Sequence, residues 1–180
     1  MKEMLTIRPV TKSDSKSIAD IYRPYVEETV VSFETVAPTV DIMSARIEDI
    51  SNHYPYLVAE IDGEVAGYSY AHAWKERAAY AGTLESTVYI NRKFKRQGIG
   101  RKLMERLIDE CRFRGFDSLI ACITADNEAS CLLHEALGFT KVSHFKGVGR
   151  KFGRILDVVD YQLELKPEVG KGTEIQKCHF

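Results

Sequence analysis

The chain has 180 residues, 44% of them hydrophobic and 28% charged, with a formal net charge of −1. That is the composition of an ordinary globular protein, long enough for one domain with a substantial core, and its near neutrality gives no global attraction to nucleic acid or an anionic membrane. No apolar run approaches the roughly 20 residues of a membrane span, and the N-terminus enters a strand-like T-I-R-P-V without an apolar signal core, so a cytoplasmic protein is expected.

Thr6 to Val10 alternates as a strand does. Thr11, with Asp14 three residues on, resembles a capping box, and Ile18, Ile21, Tyr22 and Tyr25 then recur at helical spacing. Pro24 falls inside that pattern and is expected to kink or shorten the helix. Val30 to Pro38 reads as a loop carrying Phe33, and a second helix from near Thr39 shows Met43, Ile47 and Ile50 on one face. Tyr56–Ile61, Asp62-Gly63 and Glu64–Ala73 form a hairpin signal with D-G as the turn. A polar loop, Trp74-Lys75-Glu76-Arg77, leads to a strand over Leu84–Ile90.

After a short basic loop, Gly98-Ile99-Gly100 opens a helix in which Ile99, Leu103, Leu107 and Cys111 repeat every four residues; Gly115 ends it. Ser118–Ala125 reads as a buried strand and Asn127–Leu137 as a short helix stopped by Gly138. Phe139–Phe145 and Ile155–Leu165 read as closing strands around a loop rich in glycine, lysine and arginine. Residues 166–180 lack periodicity and are expected to be a loose tail after a single domain over 1–165. The order β-α-α-β-β-β-α-β-α-β-β implies a three-layer α/β domain on a mixed sheet.

The strand, glycine turn and helix start between Glu85 and Arg101 form a phosphate-binding device. Backbone N–H groups at a helix start lack partners, the helix dipole favours an anion there, and glycine lets the backbone approach it. The carboxylate of Glu85, one strand-length upstream, is placed to act as a general base on the same ligand. Cradle and acid together point to acyl transfer from a nucleotide-linked carrier. A Rossmann fingerprint is the rival, but it needs a third glycine where Leu103 stands, and Asp126 comes late for a ribose acid. No Walker lysine is present. The basic residues Arg92, Lys93, Lys95, Arg96, Arg101 and Lys102 suit the phosphates of a cofactor; as a nucleic-acid patch they form one short run without interleaved aromatics.

Cys111, Cys122, Cys131 and Cys178 lie far apart without a C-x-x-C pair, and are expected to be buried free thiols. His53, His72, His144 and His179 show no metal-ligand spacing, so no metal is expected.

The element order and the K-R-Q-G-I-G turn resemble the GNAT superfamily of N-acetyltransferases, whose turn is usually written Q/R-x-x-G-x-G/A. Lys95 occupies its first position, keeping the charge but not the planar fork of arginine. A second superfamily pattern, N-x-x-A/S followed by an aromatic residue and G-F, matches Asn127, Ser130, His134 and Gly138-Phe139, with histidine where tyrosine is usual. More closely, the chain is similar to the phosphinothricin and methionine sulfoximine N-acetyltransferase group. The strings Y-P-Y-L-V-A-E-I-D-G-E-V-A-G-Y (54–68), W-K-E-R-A-A-Y (74–80), E-S-T-V-Y-I (85–90) and H-E-A-L-G-F (134–139) carry that similarity.

The resemblance implies a three-layer α/β/α fold on a mixed, mostly antiparallel sheet, acetyl-CoA as cosubstrate and a homodimer. It implies acetyl-CoA contacts from Val88, Tyr89 and Ile90, from Arg96, Gln97, Gly98, Ile99, Gly100 and Arg101, and from Asn127. For the acceptor it implies Lys75, Glu76, Arg77, Glu85, Ser86 and Thr87, with Phe33 and Tyr80 lining the site. Glu85 would be the base and the backbone N–H near Val88 an oxyanion donor; His134 would protonate the departing thiolate or order water. Lys75 and Arg77 favour a small acceptor bearing anionic groups, an amino-acid analogue such as phosphinothricin or methionine sulfoximine. The rivals are acetylation of another amine, such as a polyamine or a protein N-terminus, and a CoA-binding sensor without chemistry.

Overall fold

Residues 4–165 are described by a computed structural model of the protein; the expected loose tail, with Cys178 and His179, lies outside the described residues. The elements run β1 (Leu5–Pro9), α1 (Ser15–Glu28), α2 (Val40–His53), β2 (Tyr56–Ile61), β3 (Glu64–Ala73), β4 (Thr83–Ile90), α3 (Ile99–Phe113), β5 (Ser118–Thr124), α4 (Glu128–Ala136), β6 (Thr140–Lys151) and β7 (Arg154–Glu164). The strands form one seven-stranded sheet in the order β1-β2-β3-β4-β5-β7-β6. Every pairing is antiparallel except β4 with β5.

Strand alternation divides the sheet between two cores. On one face Ile99, Leu103, Met104, Leu107, Ile108 and Cys111 of α3 pack on Leu57, Ala59, Leu84, Leu119 and Ala121, with Leu133 of α4 and Leu137 just after it alongside. Burying a leucine or isoleucine of this stripe stabilises the fold by about 1.5–3 kcal/mol, and Leu107→Ala would cost about 2–5 kcal/mol with the cavity it leaves. On the other face Ile18, Tyr22, Tyr25 and Val26 of α1 and Met43 and Ile47 of α2 cover Tyr56, Val58 and Tyr68. The sheet with α1 and α2 on one face and α3 and α4 on the other gives the expected three layers.

Local chemistry sets the element ends. Thr11 N–H donates to Asp14 Oδ2 at 2.7 Å, and Arg8 holds the same carboxylate from the other side at 2.9 Å. The Thr39 hydroxyl caps α2 by accepting from Ile42 N–H. In the D-G turn both residues have positive φ, 48° at Asp62 and 85° at Gly63, as a two-residue hairpin with the sheet's twist requires.

Two expectations need correction. Of the two effects expected of Pro24, a kink or a shortened helix, the second does not occur: α1 runs on to Glu28. The bond it forfeits is to the carbonyl of Asp20, on an exposed turn where water can serve, while the buried stripe on the opposite side holds the helix to the sheet. The supposed glycine-rich loop between the last strands is a long hairpin instead. β6 continues through Gly147 and Gly149 to Lys151, with a register shift between Phe145 and Gly149 that absorbs the glycines.

Candidate active site

β4 and β5 pair only at Thr83↔Ser118, Leu84↔Leu119 and Glu85↔Ile120. Beyond that point β4 continues to Ile90 and β5 to Thr124 without pairing, so the sheet opens into a V with Glu85 at its apex. The edge of β4 that faces this opening can be read from its other neighbour. Asn91 N–H bonds to Ala66 O beside β3, and the β3–β4 ladder is regular from Gly67↔Ile90 to Ala73↔Leu84. N–H groups alternate in direction along a strand. Those of Val88 and Ile90 therefore point away from β3 into the V, where β5 offers no acceptor. Two aligned backbone donors at the mouth of a split sheet are suited to holding a carbonyl oxygen and the negative charge that develops on it.

Glu85, Thr87 and Tyr89 project to the α1–α2 face, whereas Ser86, Val88 and Ile90 project toward α3. The Glu85 side chain is 30% exposed. Burial pushes its pKa up; His72, whose Nε2 lies 4.0 Å away, pulls it down, and Asp160 pushes it up again. A carboxylate with a raised pKa at the edge of water is a stronger base than an ordinary one while still able to ionise. On the same face of the sheet a narrow cleft runs between Tyr56, Tyr68 and Tyr70 of the sheet and Met43 and Arg46 of α2.

Gly98, at φ 75°, is the N-cap of α3, and Arg96, at φ 62°, precedes it in the same left-handed region. The helical bonds begin with Lys102 N–H to Gly98 O, which leaves the N–H groups of Ile99, Gly100 and Arg101 ahead of the bonded run. The turn is anchored to the V because Tyr25 OH donates to Ile90 O at 2.6 Å. The basic cluster is smaller than its sequence suggests. Arg92 is paired with Glu28 at 2.5 Å, Lys93 with Glu64, and Arg101 with Glu105 at 2.8 Å. Lys95 lies over the ring of Tyr25, 5.3 Å from its centroid. Among the described residues Lys95, Arg96 and Lys102 form no ion pair, so these three are the cations available to phosphates.

Asn127 caps α4, its side chain accepting from Ser130 N–H. His134 lies one turn beyond Ser130, on the face of the sheet opposite Glu85. Its ring is 3% exposed and packs edge-on against Phe139 with centroids 4.9 Å apart. Nδ1 is 2.8 Å from Ser130 O, so Nδ1 carries the proton. Burial lowers the His134 pKa against the opposing pull of that bond. The ring is thus neutral at neutral pH, and Nε2 is an acceptor with no proton to give.

The loop 74–82 returns to β4 through Trp74 N–H to Thr83 O. Lys75 Nζ sits 3.9 Å from the Trp74 ring centroid and 5.1 Å from that of Tyr80, and the two rings meet edge-to-face. Lys75, Glu76 and Arg77 are exposed. Phe33 is held by the last hairpin: the buried Lys151 amine donates to Ser32 O at 2.6 Å, and Gly149 leaves the space that the Phe33 ring fills. Of the cysteines, Cys111 is buried as expected, but Cys122 is exposed, on the Glu85 face of β5. Among the described residues no group of three His, Cys, Asp or Glu side chains is arranged to hold a metal ion, and no helix is long and apolar enough to cross a membrane.

The family model described as an acetyltransferase (GNAT) domain matches residues 7–159. The chain belongs to the GNAT acetyltransferases. It is 39% identical over 160 residues to a phosphinothricin N-acetyltransferase of Streptomyces viridochromogenes, covering 89% of this chain and 87% of that one. It is 38% identical over 162 residues to an L-methionine sulfoximine/L-methionine sulfone acetyltransferase of Salmonella typhimurium, covering 89% and 95%. An acetyltransferase from Salmonella typhimurium solved with its cofactor acetyl-CoA superposes with a TM-score of 0.89 at 36% identity, covering 94% of this chain and 98% of that one. The chain thus shares the fold of a GNAT acetyltransferase solved with acetyl-CoA.

Sequence reasoning on this GNAT chain weighed His72 only as a metal ligand and Cys122 only as a buried thiol, and passed over Asp160; all three lie on the face of the sheet that carries Glu85. The signal available was weak. His72 continues the alternation of Tyr68 and Tyr70, but the 74–82 loop does not reveal which β4 residue it meets. Cys122↔Asp160 is a pairing between strands far apart in sequence.

Proposed function

We propose that this GNAT enzyme transfers acetyl from acetyl-CoA to the α-amino group of a small amino-acid analogue of the phosphinothricin or methionine sulfoximine type. The observation that carries the reading is Glu85 at the apex of the V, one strand turn from the inward-facing N–H groups of Val88 and Ile90. An α-ammonium is protonated at neutral pH and has no lone pair for attack. Glu85 takes that proton, and the freed amine attacks the thioester carbon. The two β4 N–H groups stabilise the charge that develops on the acetyl oxygen, and CoA departs as a thiolate. The α3 N-terminus with Lys95, Arg96 and Lys102 would hold the pyrophosphate of CoA, and Asn127 would contact its pantetheine arm. Lys75 and Arg77 would pair with the acceptor's carboxylate or phosphinyl oxygens, with Phe33, Tyr80 and Thr87 around it.

His134 enters this scheme in a different role from the one its resemblance suggests. A buried, neutral ring whose proton is committed to Ser130 O suits holding the first turn of α4, and with it Asn127, rather than protonating the thiolate. We further infer that residues 1–165 form the single catalytic domain and that the enzyme works in the cytoplasm. We also infer a homodimer; Val142, Phe145, Val148 and Ile155 leave large exposed apolar side chains on the β6–β7 hairpin, which a second copy would cover. Release of free thiol from acetyl-CoA, measured against a panel of amino acids, their phosphinyl and sulfoximine analogues, polyamines and peptide N-termini, tests the reading. Turnover confined to the analogues supports it; turnover confined to polyamines or peptides refutes the acceptor.

A further inference from the structure

The β3–β4 register sets His72 directly across from Glu85. His72 Nδ1 lies 2.9 Å from the carbonyl oxygen of Ala73, which can only accept, so the ring proton sits on Nδ1. In its neutral form the ring therefore turns an Nε2 lone pair toward Glu85 Oε1, 4.0 Å away, a gap that one side-chain adjustment or a single bridging water spans. The His72 side chain is 35% exposed, so it reaches both the carboxylate and bulk water. An imidazole can take up a proton at a ring nitrogen and give it back, which suits a group that must accept and release a proton in each turnover.

We propose, resting on Glu85 as the base, that His72 is the proton outlet of the active site and that Asp160 is its electrostatic counterweight. The substrate ammonium gives its proton to a Glu85 oxygen and keeps the electron pair for attack. The protonated Glu85 passes that proton to His72 Nε2 and is a carboxylate again, and the imidazolium releases the proton from Nε2 to water. Atoms and charge balance without any co-reactant. Both His72 and Asp160 act through Glu85 and are positioning residues.

The surroundings of Glu85 are few enough to name. From β3 come His72 and Tyr70, with Glu34 and Arg46 facing Tyr70 from beyond. Cys122 comes from β5 and Asp160 from β7. Asp160 is paired with Cys122 across the sheet and accepts from the Ser143 hydroxyl at 2.9 Å, which fixes its carboxylate. The Cys122 thiol is pushed up to about 12, first by the protein around it and then by the two carboxylates, so it stays neutral between them. Tyr70 is likewise held neutral by burial. This leaves one basic and one acidic neighbour acting on Glu85 with opposite sign.

The test is kcat/KM for the amine acceptor against pH, for His72→Gln, Asp160→Asn and Glu85→Gln beside the native enzyme, with KM for acetyl-CoA recorded throughout. The acid limb of such a profile reports the base in the free enzyme. His72→Gln removes a ring that, once protonated, favours the Glu85 carboxylate, so the limb should move to higher pH; Asp160→Asn removes a repulsive charge, so it should move to lower pH. KM for acetyl-CoA should be unchanged in both. A merely structural role would scale the whole profile and leave the limb in place, and that result in His72→Gln would overturn the proposal. Limbs that shift in the same direction in the two variants would also overturn it. Glu85→Gln separates the two readings: wild-type turnover there refutes Glu85 as base, whereas a lost limb there with unmoved limbs in the other two refutes His72 and Asp160 alone.

Discussion

Gly98 offers a substitution whose effects on fold and on ligand can be told apart. Its φ of 75° is a conformation that valine adopts only under strain, and a Cβ built there meets nothing within 4 Å. The folded protein therefore bears only the backbone penalty, about 1–2 kcal/mol for an L-residue in the left-handed region. In a chain of this size that lowers Tm by roughly 2–8 °C. Gly63 and Gly115 provide matched controls, since φ is 85° and 81° and each Cβ again meets nothing within 4 Å. At Gly98 the chain relieves the strain by turning the peptide groups that open α3, and the N–H donors of Ile99 and Gly100 swing off the phosphate. Charge-assisted bonds are each worth about 1.5–3 kcal/mol, so losing two weakens acetyl-CoA by roughly 10²–10⁴-fold. Calorimetric titration and thermal melts of Gly98→Val, Gly63→Val and Gly115→Val check this. All three should melt slightly early, and only the first should lose acetyl-CoA. Affinity in Gly98→Val within a few-fold of the native protein would place the phosphate cradle elsewhere.

Changing Lys75 and Arg77 together to Ala should raise KM for the acceptor at least about tenfold, as expected for charge-assisted bonds, and leave KM for acetyl-CoA unchanged; a defect on the acetyl-CoA side alone would refute the loop's role. Gly149→Ala puts a Cβ 2.3 Å from the Phe33 ring, which must move aside, so acceptor KM should rise while acetyl-CoA binding holds; unchanged acceptor kinetics would remove Phe33 from the site. Asp14 tests the frame. Burial pushes its pKa up, but Arg8 and Thr11 outweigh burial and hold it below the ordinary 3.8. A depressed folded pKa means stability that is fully present above about pH 3.8 and lost as pH falls through the lower folded value. Asp14→Asn should therefore be less stable at neutral pH and show a flatter acid arm in denaturant titrations; parallel acid arms would contradict the ion pair's role.

Local chemistry made much of the fold legible. The Asp62-Gly63 turn, the Thr11–Asp14 contact, the helix starts near Thr39 and Asn127 and the four-residue repeat of α3 are written within a few residues of where they act. The order of elements and the glycine turn then implied the layers. Less legible was whatever depends on a partner far along the chain. The opening of the V after Glu85↔Ile120 is a parallel pairing that stops, and no residue of β4 marks the stop. Arg92 and Lys93 looked like phosphate ligands because their partners, Glu28 and Glu64, lie on other elements. The last hairpin was hidden by glycines that a register shift absorbs. His72 and Asp160 reach Glu85 only through register.

The central claim is that Glu85 removes the acceptor's proton. The most direct measurement is kcat against pH for Glu85→Gln and the native enzyme. The amide keeps the shape and much of the hydrogen bonding but cannot take a proton. At neutral pH the variant should lose about 10²–10⁴-fold in kcat, the usual contribution of a positioned base, with acetyl-CoA affinity intact. The deficit should shrink as pH approaches the pKa of the acceptor ammonium, where free amine is supplied without a base. Wild-type turnover at neutral pH, or a loss of the same size at every pH, would contradict the claim.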